Sequence, residues 1–250
     1  LGKEATAVKG NYLSALAMFF AVGITCLSLE IDIKIILTAV LLGGLIGSVI
    51  AIKVKMTAIP EMVALFNGFG GLATFLIAWS QFNEPSNSMF QHALIMLTIY
   101  IGGITFSGSL IAYGKLSEKL KLGKGSMITN VFISFFYLSM PALIYVIAEP
   151  SISQFIPQVP SYFLIFLCLT LIAGIGFVMP IGGGDMPVVI SLLNSLSGIA
   201  AAFAGLLLLN NVLIVAGSLV GASGLILTII MAKAMNRTIT NILFVGYASS

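Results

Sequence analysis

The chain has 250 residues, of which 59% are hydrophobic and 8% are charged, and its mean hydropathy is +1.15. A soluble globular protein carries about 25% charged residues, so this composition excludes an ordinary soluble domain. The net charge of +3 is too small to indicate a nucleic-acid partner. The lone histidine, His92, cannot supply a multi-histidine metal site. Cys26 and Cys168 fall inside apolar blocks, where buried free thiols are expected.

Eight apolar blocks follow one another along the chain, separated by short polar joints. About 20 apolar residues in a helix span a hydrocarbon core of about 30 Å. The sequence therefore predicts an all-α membrane protein, a polytopic helical bundle of eight transmembrane helices in one domain over residues 1–250. The polar opening, Leu1 to Gly10, lacks the apolar core of a signal peptide. The predicted spans are 11–28, 33–52, 60–80, 91–113, 127–147, 161–180, 187–208 and 211–232.

The positions of lysine and arginine predict the direction of these spans. Eight is an even number, so both termini lie on the same side of the membrane. When the polar joints are assigned to alternate sides, ten positive residues fall on the side of the termini and only Lys34 falls on the other. Because positive residues stay on the cytoplasmic side, both termini are predicted to be cytoplasmic.

Two segments repeat without gaps at an offset of 127 residues, the distance from Pro60 to Pro187. Each begins with a proline, which suits the first turn of a helix, and each carries an asparagine seven residues later, Asn67 or Asn194. In the predicted topology both helices start inside and run outward, so the internal repeat is parallel. Such repeats are typical of transporters, in which the site lies between the repeats.

The two asparagines have two interpretations. An amide within the membrane costs free energy unless it is hydrogen-bonded, so Asn67 and Asn194 either join helices or line a hydrated path. The matched depths, and the Gly- and Ser-rich helix that follows each asparagine, favour the path. Asparagine can orient water but does not titrate. If protons move here, a titratable partner must come from elsewhere.

The segment between the sixth and seventh predicted spans contains three successive glycines and then Asp185. Glycines allow unusual backbone angles or close backbone contact. Asp185 precedes a helix, where it either caps free N–H groups or contacts a cytoplasmic domain. Glu61, at the equivalent helix start, has the same two interpretations. Arg237 either anchors the membrane edge or takes part in the same contact.

Several of these segments resemble the membrane part, domain II, of the proton-translocating NAD(P) transhydrogenase beta subunit. In that family one soluble domain binds NAD(H), another binds NADP(H), and the membrane domain couples hydride transfer between them to proton translocation. The resemblance implies that this chain conducts protons and contains no catalytic residue, cofactor site or metal site of its own. The matching segments are Gly182 to Ser195, Leu213 to Gly224, Lys233 to Arg237, Glu61 to Ala64 and Thr105 to Leu116.

The resemblance also implies roles for individual residues. Some family members have histidine where this chain has Asn67, and that histidine is thought to take up the proton, since its pKa lies near neutrality. Other members carry the histidine on a helix of the alpha-side membrane segment, which we expect here. The implied proton path comprises Asn67, Asn194, Ser109, Gly221, Ser223 and Gly224. The residues implied in coupling to the NADP(H) domain are Asp185, Glu61 and Arg237.

The implied partners are the alpha-subunit membrane helices with the NAD(H)-binding domain, the NADP(H)-binding domain of the same subunit, and a second protomer in a homodimer. The family has one further span upstream and the NADP(H) domain downstream, so we expect no redox activity from this chain alone. The missing initiator Met likewise places the N-terminus upstream. The expected location is the bacterial cytoplasmic membrane rather than the mitochondrial inner membrane. The alternatives from the residues alone are a stand-alone proton- or ion-coupled secondary transporter and a structural membrane anchor.

Overall fold

The computed structural model describes residues 4–28, 32–82, 88–120 and 160–243. Within these ranges the chain is helical and contains no strand, which confirms the predicted all-α class. Six of the described helices are long and apolar enough to cross a membrane. The predicted span 127–147 lies outside the described residues. The chain divides into two compact units, Leu1–Lys55 and Met56–Ser250.

The first unit contains helices α1 (Glu4–Ser28) and α2 (Ile33–Lys53). The Asp32 carboxylate caps α2 by accepting a hydrogen bond from the backbone N–H of Lys34 at 2.9 Å. No residue of α2 is buried. Helix α1 begins at Glu4 rather than at the predicted residue 11, because the residues before the apolar block include good helix formers such as alanine, glutamate and lysine.

Among its described residues, the second unit contains five long helices, a short turn at each of two helix starts, and a short helix over Ile239–Leu243 that the sequence did not predict. The long helices cover the predicted segments to within a few residues. Its elements are the 3₁₀ turn Met56–Ala58, α3 (Ile59–Phe82), α4 (Met89–Leu116), α5 (Pro160–Val178), the 3₁₀ turn Gly183–Asp185, α6 (Met186–Leu207), α7 (Asn211–Ala234) and α8 (Ile239–Leu243).

Helix α4 is central to this unit and packs against α3, α5 and α6. Gly71 of α3 lies against Gly102 and Phe106, whereas Gly68 lies against Ser109, so α3 and α4 are antiparallel. A methyl group on Gly71 would lie 2.8 Å from the carbonyl oxygen of Gly102. Glycine at this position therefore lets the two backbones approach closely, as small residues do in membrane helix pairs.

Helices α4 and α5 are parallel, since Gly103 faces Thr170 and Gly108 faces Val178. Both helices therefore end on the same side of the unit. Gly108 also faces Leu193 of α6, while the end of α4 contacts the residues just before α6. Helix α6 is thus antiparallel to α4 and runs in the same direction as α3.

Helices α6 and α7 form an antiparallel pair held close by glycine. Gly198 faces Gly217 and Gly221, and Gly205 faces Ile214. Glycines of the second unit that lie in helix–helix contacts include Gly102, Gly103, Gly217, Gly221 and Gly224. In the first unit, a methyl group on Gly43, Gly44 or Gly47 would have no neighbour within 4 Å.

Candidate functional site

The side-chain amide of Asn67 joins three helices. Its Nδ2 donates a hydrogen bond to Ser109 Oγ of α4 at 3.1 Å, and its Oδ1 accepts one from Ser197 Oγ of α6 at 2.9 Å. Ser109 is fully buried. Amide and hydroxyl groups both donate and accept hydrogen bonds but do not titrate near neutral pH, so these groups can orient a water chain without storing a proton.

The sequence predicted Asn67 and Ser109 but missed Ser197. In the repeat alignment Ser197 corresponds to Gly70, so the repeat carried no signal for it. The sequence did offer one indication of Ser197, which is that it lies three residues after Asn194. Residues three apart are neighbours on a helix surface, which places Ser197 beside the predicted Asn194.

Asn194 and Ser223 lie apart from this three-helix junction. Both are exposed on the surface of the chain. The Ser223 hydroxyl donates to Val220 O of its own helix at 3.1 Å, and within the described residues no side-chain hydrogen bond is recorded for Asn194. Asn194 and Ser197 are three positions apart on α6. Their Cα atoms therefore differ by about 4.5 Å along the helix axis and by a rotation of about 60° around it. That rotation turns Asn194 away from α3 and α4.

Gly221 and Gly224 are buried between α6 and α7. Their carbonyl oxygens accept hydrogen bonds from α6, with Ser195 Oγ donating to Gly221 O at 2.6 Å and Ser191 Oγ donating to Gly224 O at 3.3 Å. A methyl group on Gly224 would lie 2.9 Å from Ser195 Cα. Thr228 of α7 completes the contact by donating to Ser191 Oγ at 3.1 Å. Glycine at these positions lets α6 and α7 pack closely, and it leaves the backbone carbonyl oxygens of α7 accessible to the serine hydroxyls of α6.

Asp185 and Arg237 form an ion pair at the start of α6. Arg237 Nη1 donates to Asp185 Oδ2 at 3.0 Å, and the side chains are 48% and 12% exposed respectively. Asp185 occupies the N-cap position of α6 but makes no capping hydrogen bond. The capping interpretation is therefore wrong, because Asp185 has helical backbone angles (φ −90°, ψ −3°) rather than the extended ones that direct an N-cap side chain to the free N–H groups.

The glycine segment that precedes Asp185, Gly182–Gly184, is exposed. Within the described part of the chain no glycine has a positive φ, so the predicted unusual backbone angles are wrong. A methyl group on any of the three glycines would meet nothing within 4 Å. Neither backbone conformation nor crowding in the described structure requires glycine here.

Glu61 lies in the first turn of α3 and is partly exposed. Among the described residues no hydrogen bond or ion pair is recorded for its carboxylate. Its position at a helix N-terminus is electrostatically favourable for a carboxylate.

The cysteines and the histidine occupy peripheral positions. Both thiols are free as predicted, but they are not buried: Cys26 is partly exposed and Cys168 is exposed. The His92 ring lies near the start of α4, against the Phe82 ring and 3.2 Å from the carbonyl oxygen of Ser88. In the described ranges, no group of three His, Cys, Asp or Glu side chains could hold a metal ion.

Comparison with known proteins identifies the family. The family model for the NAD(P) transhydrogenase beta subunit matches residues 1–250. Two curated relatives, both named NAD(P) transhydrogenase subunit beta from Rhodospirillum rubrum, are each 38% identical over 261 residues, an alignment that covers 100% of this chain and 54% of the relative. The chain thus spans about half the length of these relatives. Its long apolar helices are those of an integral membrane protein, and the match over its whole length places it in the NAD(P) transhydrogenase beta subunit family.

Proposed function

We propose that this chain is the proton-conducting membrane domain of NAD(P) transhydrogenase, in which proton translocation is coupled to hydride transfer between NAD(H) and NADP(H) on separate soluble domains. The observation that carries the proposal is the amide of Asn67, held between the hydroxyls of Ser109 and Ser197 where α3, α4 and α6 meet. The names of the relatives favour this function over a stand-alone secondary transporter.

The proposed topology has eight spans with both termini in the cytoplasm. The parallel arrangement of α4 and α5 supports it, since two helices that end on the same side agree with one further span between them. The bacterial cytoplasmic membrane is the proposed location, and the positive residues at the ends of α2, α4 and α7 then lie on its inner face.

The internal parallel repeat is part of the same proposal, and three sets of contacts support it. The neighbours of Gly71 are Gly102 O and Phe106 N, and the neighbours of Gly198, its counterpart, are Gly217 O and Gly221 N. The offset in sequence from Gly102 to Gly217 equals the offset from Phe106 to Gly221, so a single offset relates α4 to α7. The repeat offset takes Gly68 of α3 to Ser195 of α6, and the α4-to-α7 offset takes Ser109 to Gly224. The contact of Gly68 with Ser109 therefore corresponds to the contact of Ser195 with Gly224, with serine and glycine exchanged.

The proposed proton path runs through the Asn67 junction and continues along α6 to Asn194. In the repeat, Gly224 of α7 corresponds to Ser109 of α4. Because glycine has no hydroxyl, Asn194 cannot form the equivalent of the hydrogen bond between Asn67 and Ser109. Its amide faces the outside of this chain. We therefore place the titratable group on a membrane helix of the alpha subunit, with Ser223, Gly221 and Gly224 on the neighbouring helix.

Coupling runs through the cytoplasmic face. NADP(H) binding and redox state would move the NADP(H) domain against the glycine segment, the Asp185–Arg237 pair and Glu61, and that movement would shift α6 relative to α3 and α4. The linkage is reciprocal, so a proton gradient biases hydride transfer as hydride transfer drives protons. The chain itself binds neither nucleotide and contributes no catalytic residue; two protomers form the proposed homodimer.

The test is proton translocation by the assembled enzyme in proteoliposomes. We expect Asn194→Leu to abolish proton uptake coupled to hydride transfer, because leucine can neither orient water nor bind a partner's polar group. Asn211→Leu, the same change at the exposed start of α7, is the matched control and should pump normally. Wild-type pumping by Asn194→Leu would remove this residue from the path, and failure of the unmodified enzyme to pump would refute the function.

A further inference from the structure

Lys115, in the last turn of α4, binds the backbone at the entrance of the glycine segment. Its Nζ donates to the carbonyl oxygens of Val178, Met179 and Ile181, at 2.5–3.3 Å. A lysine ammonium has three donors, and here each has a carbonyl partner. Among the described residues no carboxylate forms an ion pair with Lys115.

The carbonyls that Lys115 binds lie at the end of α5 and in the turn that follows. The last carbonyls of a helix have no partner within the helix, and a cation near them is favoured by the helix dipole. Ile181 directly precedes the glycine segment, and Asp185 directly follows it. The segment is therefore anchored at one end by Lys115 and at the other by Arg237, while its three glycines have open space around them.

Lys115 also stands on the helix that carries the candidate proton site. It lies six residues beyond Ser109, which is about 9 Å along the axis of α4. Ser109 in turn accepts the hydrogen bond from Asn67. One continuous helix thus connects the anchor of the glycine segment with the three-helix junction.

We propose that Lys115 is a positioning residue that transmits movement of the glycine segment to α4, and so to the Ser109–Asn67 hydrogen bond. This inference rests on the proposed function. When a docked domain displaces the glycine segment, one of two things happens to the three hydrogen bonds from Lys115. Either they persist and the end of α4 moves together with the segment, or they break. In both cases the position of Ser109 relative to Asn67 depends on the state of the segment.

A purely structural role for Lys115, as a cap for α5, makes a different prediction. A lost cap would lower the amount of folded enzyme, and hydride transfer and proton uptake would fall together. A lost transmission element lowers the number of protons moved per hydride, while hydride transfer on the soluble domains continues. The ratio of these two rates therefore separates the two roles.

The experiment measures protons per hydride for the assembled enzyme in proteoliposomes, with Lys115→Met and, as the matched control, Lys119→Met. Lys119 is exposed, and within the described ranges its side chain makes a hydrogen bond and a ring contact with Tyr113. Because allosteric coupling energies correspond to factors of about 5 to 150, we expect the ratio to fall at least about fivefold in Lys115→Met and to stay unchanged in Lys119→Met. An unchanged ratio in Lys115→Met overturns the proposal.

If Lys115→Met does not assemble, Lys115→Gln carries the test, since its shorter, neutral amide replaces three charge-assisted hydrogen bonds with at most two weaker ones. A smaller fall in the ratio, with hydride transfer unchanged, is then expected, and a ratio that falls only in step with the amount of folded enzyme overturns the proposal. Failure of the proposed function itself would look different, because the unmodified enzyme would then move no protons at all.

Discussion

The Asn67 junction predicts a measurable energetic coupling between one amide and two hydroxyls. We consider the variant Asn67→Ala and the double variant Ser109→Ala with Ser197→Ala, which remove opposite sides of the same two hydrogen bonds. Hydrogen bonds between membrane helices contribute about 0.6 kcal/mol on average and about 1.7 kcal/mol at most. Both bonds are of ordinary length and uncharged, so we expect a coupling free energy of about 1.2 kcal/mol for the pair.

The assay is a double-mutant cycle on the free energy of unfolding of the membrane-embedded enzyme, measured by SDS titration in mixed micelles. Unconnected sites are additive to within about 0.3–0.5 kcal/mol, so a coupling of about 1.2 kcal/mol is resolvable. Asn211→Ala, combined with the same two serine substitutions, is the control and should be additive. A coupling below about 0.3 kcal/mol for Asn67 would refute the hydrogen-bonded junction.

Three further predictions concern packing, charge and docking. Gly71→Ala should lower the free energy of unfolding by about 1–3 kcal/mol, since the new methyl group meets backbone atoms of α4 at 2.8 and 3.0 Å. The control Gly70→Ala, where a methyl group meets nothing within 4 Å, should leave it unchanged. Equal free energies of unfolding for the two variants would contradict the packing of α3 against α4. Asp185→Asn should cost about 1 kcal/mol or less of stability, because its half-exposed partner Arg237 can be hydrated, yet protons per hydride should fall. Gly183→Ala should leave stability within about 0.5 kcal/mol and weaken docking of the NADP(H) domain; an unchanged binding affinity between the domains would argue against that contact.

The sequence predicted the helical class because long apolar blocks have few alternatives in a membrane. It did not predict which faces are buried. An apolar helix can face lipid or protein with the same residues, so hydropathy carries no inside–outside signal, and α2 is exposed all round while α4 is buried along most of its length. For the same reason the thiol of Cys168, predicted to be buried, is exposed.

Within the candidate site, residues that stand in a local pattern could be predicted, and those that depend on tertiary contacts could not. Asn67 followed from the repeat and Ser109 from the family resemblance. The partner of Asp185 is Arg237, which is 52 residues away in the sequence, so the local pattern at the helix start could not identify it. Ser197 reaches Asn67 across 130 residues, and only the packing of α3 against α6 brings them together.

The most direct test of the proposed proton path is the number of protons translocated per hydride by the assembled enzyme carrying Asn67→Leu. Leucine keeps the side-chain volume but removes both hydrogen bonds to Ser109 and Ser197, so hydride transfer should continue on the soluble domains while proton uptake is lost. Asn211→Leu serves as the control. A wild-type ratio of protons to hydride in Asn67→Leu would contradict a path through this junction.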